Sequence, residues 1–148
     1  STQKMKLIGT VLFLLVVLTS AHSIYGDIWT SCGSSSDHFA IDTVLIVPDP
    51  PVKGQVVNIT ASGTLNEQIT DGTVHITLKY GFITILNQNE PLCNADNPLP
   101  CPIAAGSYTR SFATMIPSTV PSGKYSANVV INDQNGQEVA CINVALQL

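Results

Sequence analysis

The sequence predicts an all-β fold, an immunoglobulin-like antiparallel β-sandwich, and three observations carry that prediction. Several segments alternate strictly between apolar and polar residues. Clusters of Pro, Gly, Asn and Asp separate them, and four cysteines follow an apolar leader. Alternation gives a strand one buried face and one wet face. No stretch carries a 3.6-residue periodicity, so helices are not expected.

The leader comes first. Lys4 and Lys6 stand at the start of a run that is apolar from Leu7 to Leu18 apart from Gly9 and Thr10, followed by small and polar residues through Ser23. That order is the order of a secretory signal peptide. The run is about twelve residues, where a bilayer span needs about twenty. Residues 1–23 are therefore expected to be a cleaved signal, with Met5 as initiator, and residues 24–148 to form a single domain.

The strands follow in order. Phe39–Val47 is the first expected strand. Between Gln55 and Leu65, Val57, Ile59, Ala61 and Leu65 are apolar against Asn58, Thr60, Ser62 and Thr64. From Thr73 to Tyr80 the phase reverses, with Val74, Ile76, Leu78 and Tyr80 apolar. Phe82–Leu86 and Tyr108–Ile116 are expected strands with less regular patterns. Lys124–Asn132 alternates again through Tyr125, Ala127, Val129 and Ile131, and Val139–Leu148 closes the set. Pro48-Asp49-Pro50-Pro51, Asp71-Gly72 and Asp133-Gln134-Asn135-Gly136 supply the turns between them. Seven or more short strands at this spacing are the pattern of a sandwich. The tryptophan expected between two bridged sheets is missing, because the single Trp, Trp29, precedes Cys32.

Cysteine count and leader together predict disulfides, since the exported compartment is oxidising. Four cysteines allow three connectivities. The economical one joins Cys32 to Cys141, tying the ends of the domain, and Cys93 to Cys101 within a Pro- and Asn-rich loop. A zinc site is disfavoured by the absence of Cys-x-x-Cys spacing. No metal and no cofactor are expected.

Charge narrows the function. Beyond residue 23 four basic residues (Lys53, Lys79, Arg110, Lys124) face ten acidic ones, a net charge of −6. Without a basic patch, no nucleic-acid partner is expected. Nor is catalysis: Ser36, Asp37 and His38 are consecutive and cannot assemble a relay, which is built from distant segments. No nucleophile elbow or phosphate loop is present. His75 falls on a polar strand face, and Asp71, Asp133 and Glu138 fall in or beside turns without the spacing of a calcium loop. Asn58-Ile59-Thr60 is the one Asn-x-Ser/Thr sequon. Alternation puts Asn58 on the solvent face, where a glycan could attach.

The residues also carry a resemblance. Pro48-Asp49-Pro50-Pro51, Gly54-Gln55, Thr60-Ala61-Ser62-Gly63-Thr64-Leu65, Ile69-Thr70-Asp71-Gly72 and Leu78-Lys79-Tyr80-Gly81 stand in the order found in the ML (lipid-recognition) domain family. Cys101-Pro102, Ala105-Gly106-Ser107-Tyr108, Pro117, Val120-Pro121-Ser122-Gly123-Lys124-Tyr125 and Cys141 continue it. The chain resembles the fungal-type phosphatidylglycerol/phosphatidylinositol transfer proteins most, and the sterol carrier of Niemann–Pick type C disease more distantly. The sterol carrier's third disulfide has no counterpart here, where Pro48 to Pro51 stand instead.

That resemblance implies a sandwich splayed at one end, holding a lipid's hydrocarbon part between its sheets and moving it between membranes. It implies one bound phospholipid or sterol, transient membrane contact, a monomer, and a secreted or vacuole/lysosome-luminal location. The segments matching the family's lipid-contacting regions place Phe82, Ile83, Ile85, Ile116 and Val120 at the cavity mouth. Lys79, Arg110 and Lys124 are the candidates for head-group contact. The rival from another class is an exported immunoglobulin-like interaction module with a filled core.

Overall fold

The structure, a computed structural model, describes residues 28–93 and 100–148. The expected signal peptide and the tip of the Cys93–Cys101 loop lie outside the described residues. Eight strands follow one another: β1 (Trp29–Ser31), β2 (Phe39–Val47), β3 (Val56–Leu65), β4 (Gly72–Tyr80), β5 (Ile83–Pro91), β6 (Gly106–Met115), β7 (Lys124–Asp133) and β8 (Glu138–Gln147). They form two antiparallel sheets, one of five strands in the order β1-β8-β7-β4-β5 and one of three in the order β2-β3-β6. The all-β sandwich expected from alternation is the fold observed.

Register follows the hydrophobic pattern. Val57 is 3% exposed while its neighbour Asn58 is exposed, so β3 turns its apolar residues inward. A slip of one residue would invert the whole face, which is why alternation fixes pairing so firmly. β2 shifts phase at a bulge between Ile41 and Thr43, after which Val44 and Ile46 face in and Leu45 and Val47 face out. The β4–β5 hairpin turns through Gly81-Phe82, with Tyr80 paired to Ile83. Gly81 takes φ 56° there, a conformation open to glycine at little cost.

Two elements differ from the expectation. β1 was not legible, and it pairs Trp29 with Val144 at one edge of the larger sheet. β5 runs on past Leu86 to Pro91, because an edge strand needs only one partner and here carries Gln88 and Glu90 opposite Ile76 and Val74.

The two disulfides are Cys32–Cys141 and Cys93–Cys101, as the economical pairing has it. The first joins β8 to the segment after β1 with Cα atoms 4.9 Å apart. It therefore closes the chain within one sheet, not across the two sheets.

The sandwich has unlike ends. At one, Leu65, Ile69 and Val139 form the buried core, with Phe39, Leu92, Ile103, Tyr108 and Ile131 packed around them. Backbone bonds stitch this end together: the Asn66 N–H donates to His38 O at 2.9 Å and the His38 N–H to Glu138 O at 3.2 Å. At the other end lie the β2–β3 loop, the β4–β5 turn, the β6–β7 loop and the chain's last residue. The Gly54 N–H donates to Ile116 O, that of Gly81 to Lys124 O, and that of Leu148 to Gly123 O, gathering all four.

Candidate functional site

Behind this second end the sheets stand apart around a cavity of about 400 Å³. Trp29 of β1 and Ile28 just before it close it on one side, with Ile142, Val144 and Leu146 of β8 and Val129 of β7 beside them. The smaller sheet contributes Val44 and Ile46 of β2, Val57, Ile59 and Ala61 of β3, and Phe112 and Thr114 of β6, with Pro51 and Ile116 from the loops. Every one of these but Thr114 is apolar. The inward phase of each strand makes them so, and small Ala61 leaves space that a larger residue would fill.

A cavity of this size lies within the range of ligand pockets, about 300–1,000 Å³. As a sealed apolar void it would cost about 24 cal/mol per Å³, on the order of 10 kcal/mol, comparable with a domain's whole stability. Packing alone gives no reason to keep it. Phe112 marks where it meets solvent, since its side chain lines the cavity and is 55% exposed.

Of the five residues placed at the mouth from sequence, Ile116 lines the cavity. Phe82, Ile83 and Ile85 do not. They stand exposed on the β4–β5 hairpin at the same end, Phe82 at 103% of its reference area. Val120 is half-buried in the β6–β7 loop, and its carbonyl accepts from Lys53 Nζ at 3.2 Å. Trp29 and Phe112 are wall residues that sequence reasoning missed. Trp29 sits in a three-residue strand without periodicity, and Phe112 on a sheet edge where exposure blurs alternation.

The β6–β7 loop bridges the two sheets across this end. Lys53 of the smaller sheet's loop donates to Ser122 Oγ at 2.7 Å. From the larger sheet, Tyr80 Oη donates to Ser122 O at 2.9 Å and Tyr125 Oη to Pro121 O at 2.8 Å. Burial raises the Tyr125 pKa and neighbouring Tyr80 adds to that, so its hydroxyl remains a donor. Gly123 passes so close that a Cβ there would lie 2.5 Å from the Tyr80 ring.

The cations sort themselves by face. Lys53 is occupied by the loop, and strand phase puts Lys79 and Lys124 on the outer side of the larger sheet. Arg110 shares the inward phase of Phe112 on β6, is exposed, and lies 5.7 Å from the Tyr108 ring centroid.

Comparison with known proteins meets this geometry. The family model described as the ML domain matches residues 26–148. The chain belongs to the ML domain family. Among its relatives, a Dictyostelium discoideum protein named "Putative phosphatidylglycerol/phosphatidylinositol transfer protein" is 46% identical over 97% of this chain and 100% of its own length. The Mycosarcoma maydis phosphatidylglycerol/phosphatidylinositol transfer protein is 31% identical, over 80% of this chain and 64% of its own. Solved structures share the ML fold. Chicken MD-1, complexed with lipid IVa, superposes with TM-score 0.59 at 19% identity, over 83% of this chain and 93% of that one. A Niemann–Pick type C2 protein from the Japanese carpenter ant gives TM-score 0.58 at 10% identity, over 82% and 98%.

Proposed function

We propose that this protein binds one phospholipid non-covalently, its hydrocarbon part in the cavity between the sheets, and transfers it between membranes as a phosphatidylglycerol/phosphatidylinositol-type carrier. The observation that carries the reading is the cavity itself: about 400 Å³, walled by apolar side chains and reaching solvent at Phe112. Removing apolar area from water stabilises by about 25 cal/mol per Å², which draws hydrocarbon into such a space without any catalytic group. The names of the relatives support the head-group class.

Arg110 is the cation placed to meet a head-group phosphate at the β6 rim. Its planar guanidinium suits phosphate oxygens. Transfer needs contact with a bilayer, and the exposed Phe82, Ile83 and Ile85 at the cavity's end supply apolar area for a brief docking that net charge −6 beyond the leader keeps weak. The two disulfides fit an oxidising location, secreted or luminal, and the apolar leader fits export.

The test is movement of a fluorescent phosphatidylglycerol from donor to acceptor vesicles. The intact protein accelerates it, and Ala61→Trp, which fills the cavity from β3, abolishes it while the protein stays folded. Equal transfer by Ala61→Trp would remove the cavity from the mechanism.

A further inference from the structure

The end remote from the cavity holds a second cluster. His38, at the entry to β2, meets Glu67 from the turn after β3 and Asp133 from the end of β7. His38 Nε2 stands 3.3 Å from Glu67 Oε1, 3.7 Å from Asp133 Oδ2 and 3.1 Å from Gln137 Oε1. The three ionisable groups bring their donor atoms within 4.8 Å of one another.

Two of those atoms are without a hydrogen bond although they are buried. Glu67 Oε1 and Asp133 Oδ2 have no hydrogen-bond partner among the described residues, and Asp133 as a whole is 4% exposed. A buried carboxylate oxygen without a hydrogen bond is costly, and His38 Nε2 faces both of these at 3.3 and 3.7 Å, so the positive charge between them comes either from its proton or from a bound cation. The far sides of the ligands are already held. Asp133 Oδ1 accepts from the Asn135 and Gln137 N–H groups at 2.7 and 2.8 Å, and His38 Nδ1 donates to Asn66 Oδ1 at 2.9 Å. Such outer bonds orient ligands in metal sites and direct Nε2 inward.

We infer that His38 Nε2, Glu67 Oε1 and Asp133 Oδ2 form a binding site for a divalent transition cation of the zinc class, with Gln137 Oε1 beside it as a fourth donor. Tetrahedral ligands at about 2.0–2.2 Å from zinc stand about 3.3–3.6 Å apart, against 3.3 and 3.7 Å from His38 Nε2 to the two carboxylate oxygens and no more than 4.8 Å between any two donors, so small side-chain movements bring the set to zinc. The imidazole nitrogen argues against calcium and magnesium, which take oxygen ligands. A cation here would tie β2, the β3–β4 turn and the β7–β8 turn together at the packed end, leaving the cavity end free to open. With oxygens facing both ring nitrogens, the proton on Nε2 is the competitor, and binding would displace it.

Chelator-treated, oxidised protein titrated with Zn²⁺ alone tests this, read by Tm and by the ¹⁵N resonance of His38 Nε2. We expect saturation at one equivalent, a moved Nε2 resonance, and a Tm rise of about 5–10 °C in about 100 µM Zn²⁺. Glu67→Gln and His38→Gln each weaken binding by about tenfold or more, while His75→Gln, outside the cluster, binds as the parent does. The resonance readout needs no variant, so a misfolded mutant leaves the test intact. An unmoved Nε2 resonance with unchanged Tm overturns the site. So does an equal Tm rise with Ca²⁺, or binding lost in His75→Gln and retained in His38→Gln.

Discussion

Tyr80 and Tyr125 face each other across the β4–β7 ladder, ring centroids 5.1 Å apart, and both hydroxyls end on the same loop, at Ser122 O and Pro121 O. The larger sheet thereby holds the segment that Lys53 holds from the smaller one. The β6–β7 loop is thus fastened to both sheets at the cavity end.

Removing one fastening loosens the loop. Tyr80→Phe or Tyr125→Phe deletes a single hydrogen bond and is expected to cost about 0.5–1.5 kcal/mol, read from guanidinium unfolding midpoints. Lipid release should quicken in both variants, because each loses a bond between the larger sheet and the loop at the cavity end. Slower release would place the opening elsewhere.

The disulfides differ in what they constrain. Cys32–Cys141 closes a sequence separation of 109 and Cys93–Cys101 one of 8. By loop entropy the first is worth about 4–5 kcal/mol and the second about 2–3 kcal/mol. Replacing each pair by alanines and comparing unfolding free energies should reproduce that order, and the reverse order would contradict it.

Arg110 is expected to read the head group. Arg110→Gln should lower transfer of phosphatidylglycerol by about tenfold, the scale of one hydrogen bond to a charged group, while a diacylglycerol, which lacks the phosphate, loses less. Equal losses for both lipids would remove Arg110 from recognition.

Phe82 is fully exposed among the described residues, so Phe82→Asp should leave stability within about 0.5 kcal/mol. It should slow transfer by weakening contact with vesicles, with bound lipid per chain unchanged. Vesicle flotation with and without the substitution measures that contact directly. Undiminished flotation and transfer would exclude the hairpin.

Much of this fold is readable in the sequence. Alternation in β3, β4 and β7 fixes which side faces in, so the exposure of Asn58 beside buried Val57 follows from the sequence. What escaped lies where burial is partial or contacts are distant. Phe112 faces inward at an exposed edge, and β5 alternates against solvent, so neither carries a clean pattern. Asp133 reads as a turn residue and does serve the turn, bonding the Asn135 and Gln137 N–H groups. That duty draws its carboxylate inward, and only the fold brings His38 and Glu67 to it. Ile116 came to the cavity mouth through the segment that resembles the family's lipid-contacting region, and its side chain lines the cavity just past the end of β6. Phe82 shares its end of the sandwich but belongs to a different surface.

The most direct measurement is organic extraction of the purified protein followed by quantitative mass spectrometry. A chain that carries one lipid in the space bounded by Trp29, Ile59, Phe112 and Val144 should yield about one phospholipid per protein, and Ala61→Trp should yield almost none. A sterol in place of phospholipid, or no lipid at all from the intact protein, would contradict the account.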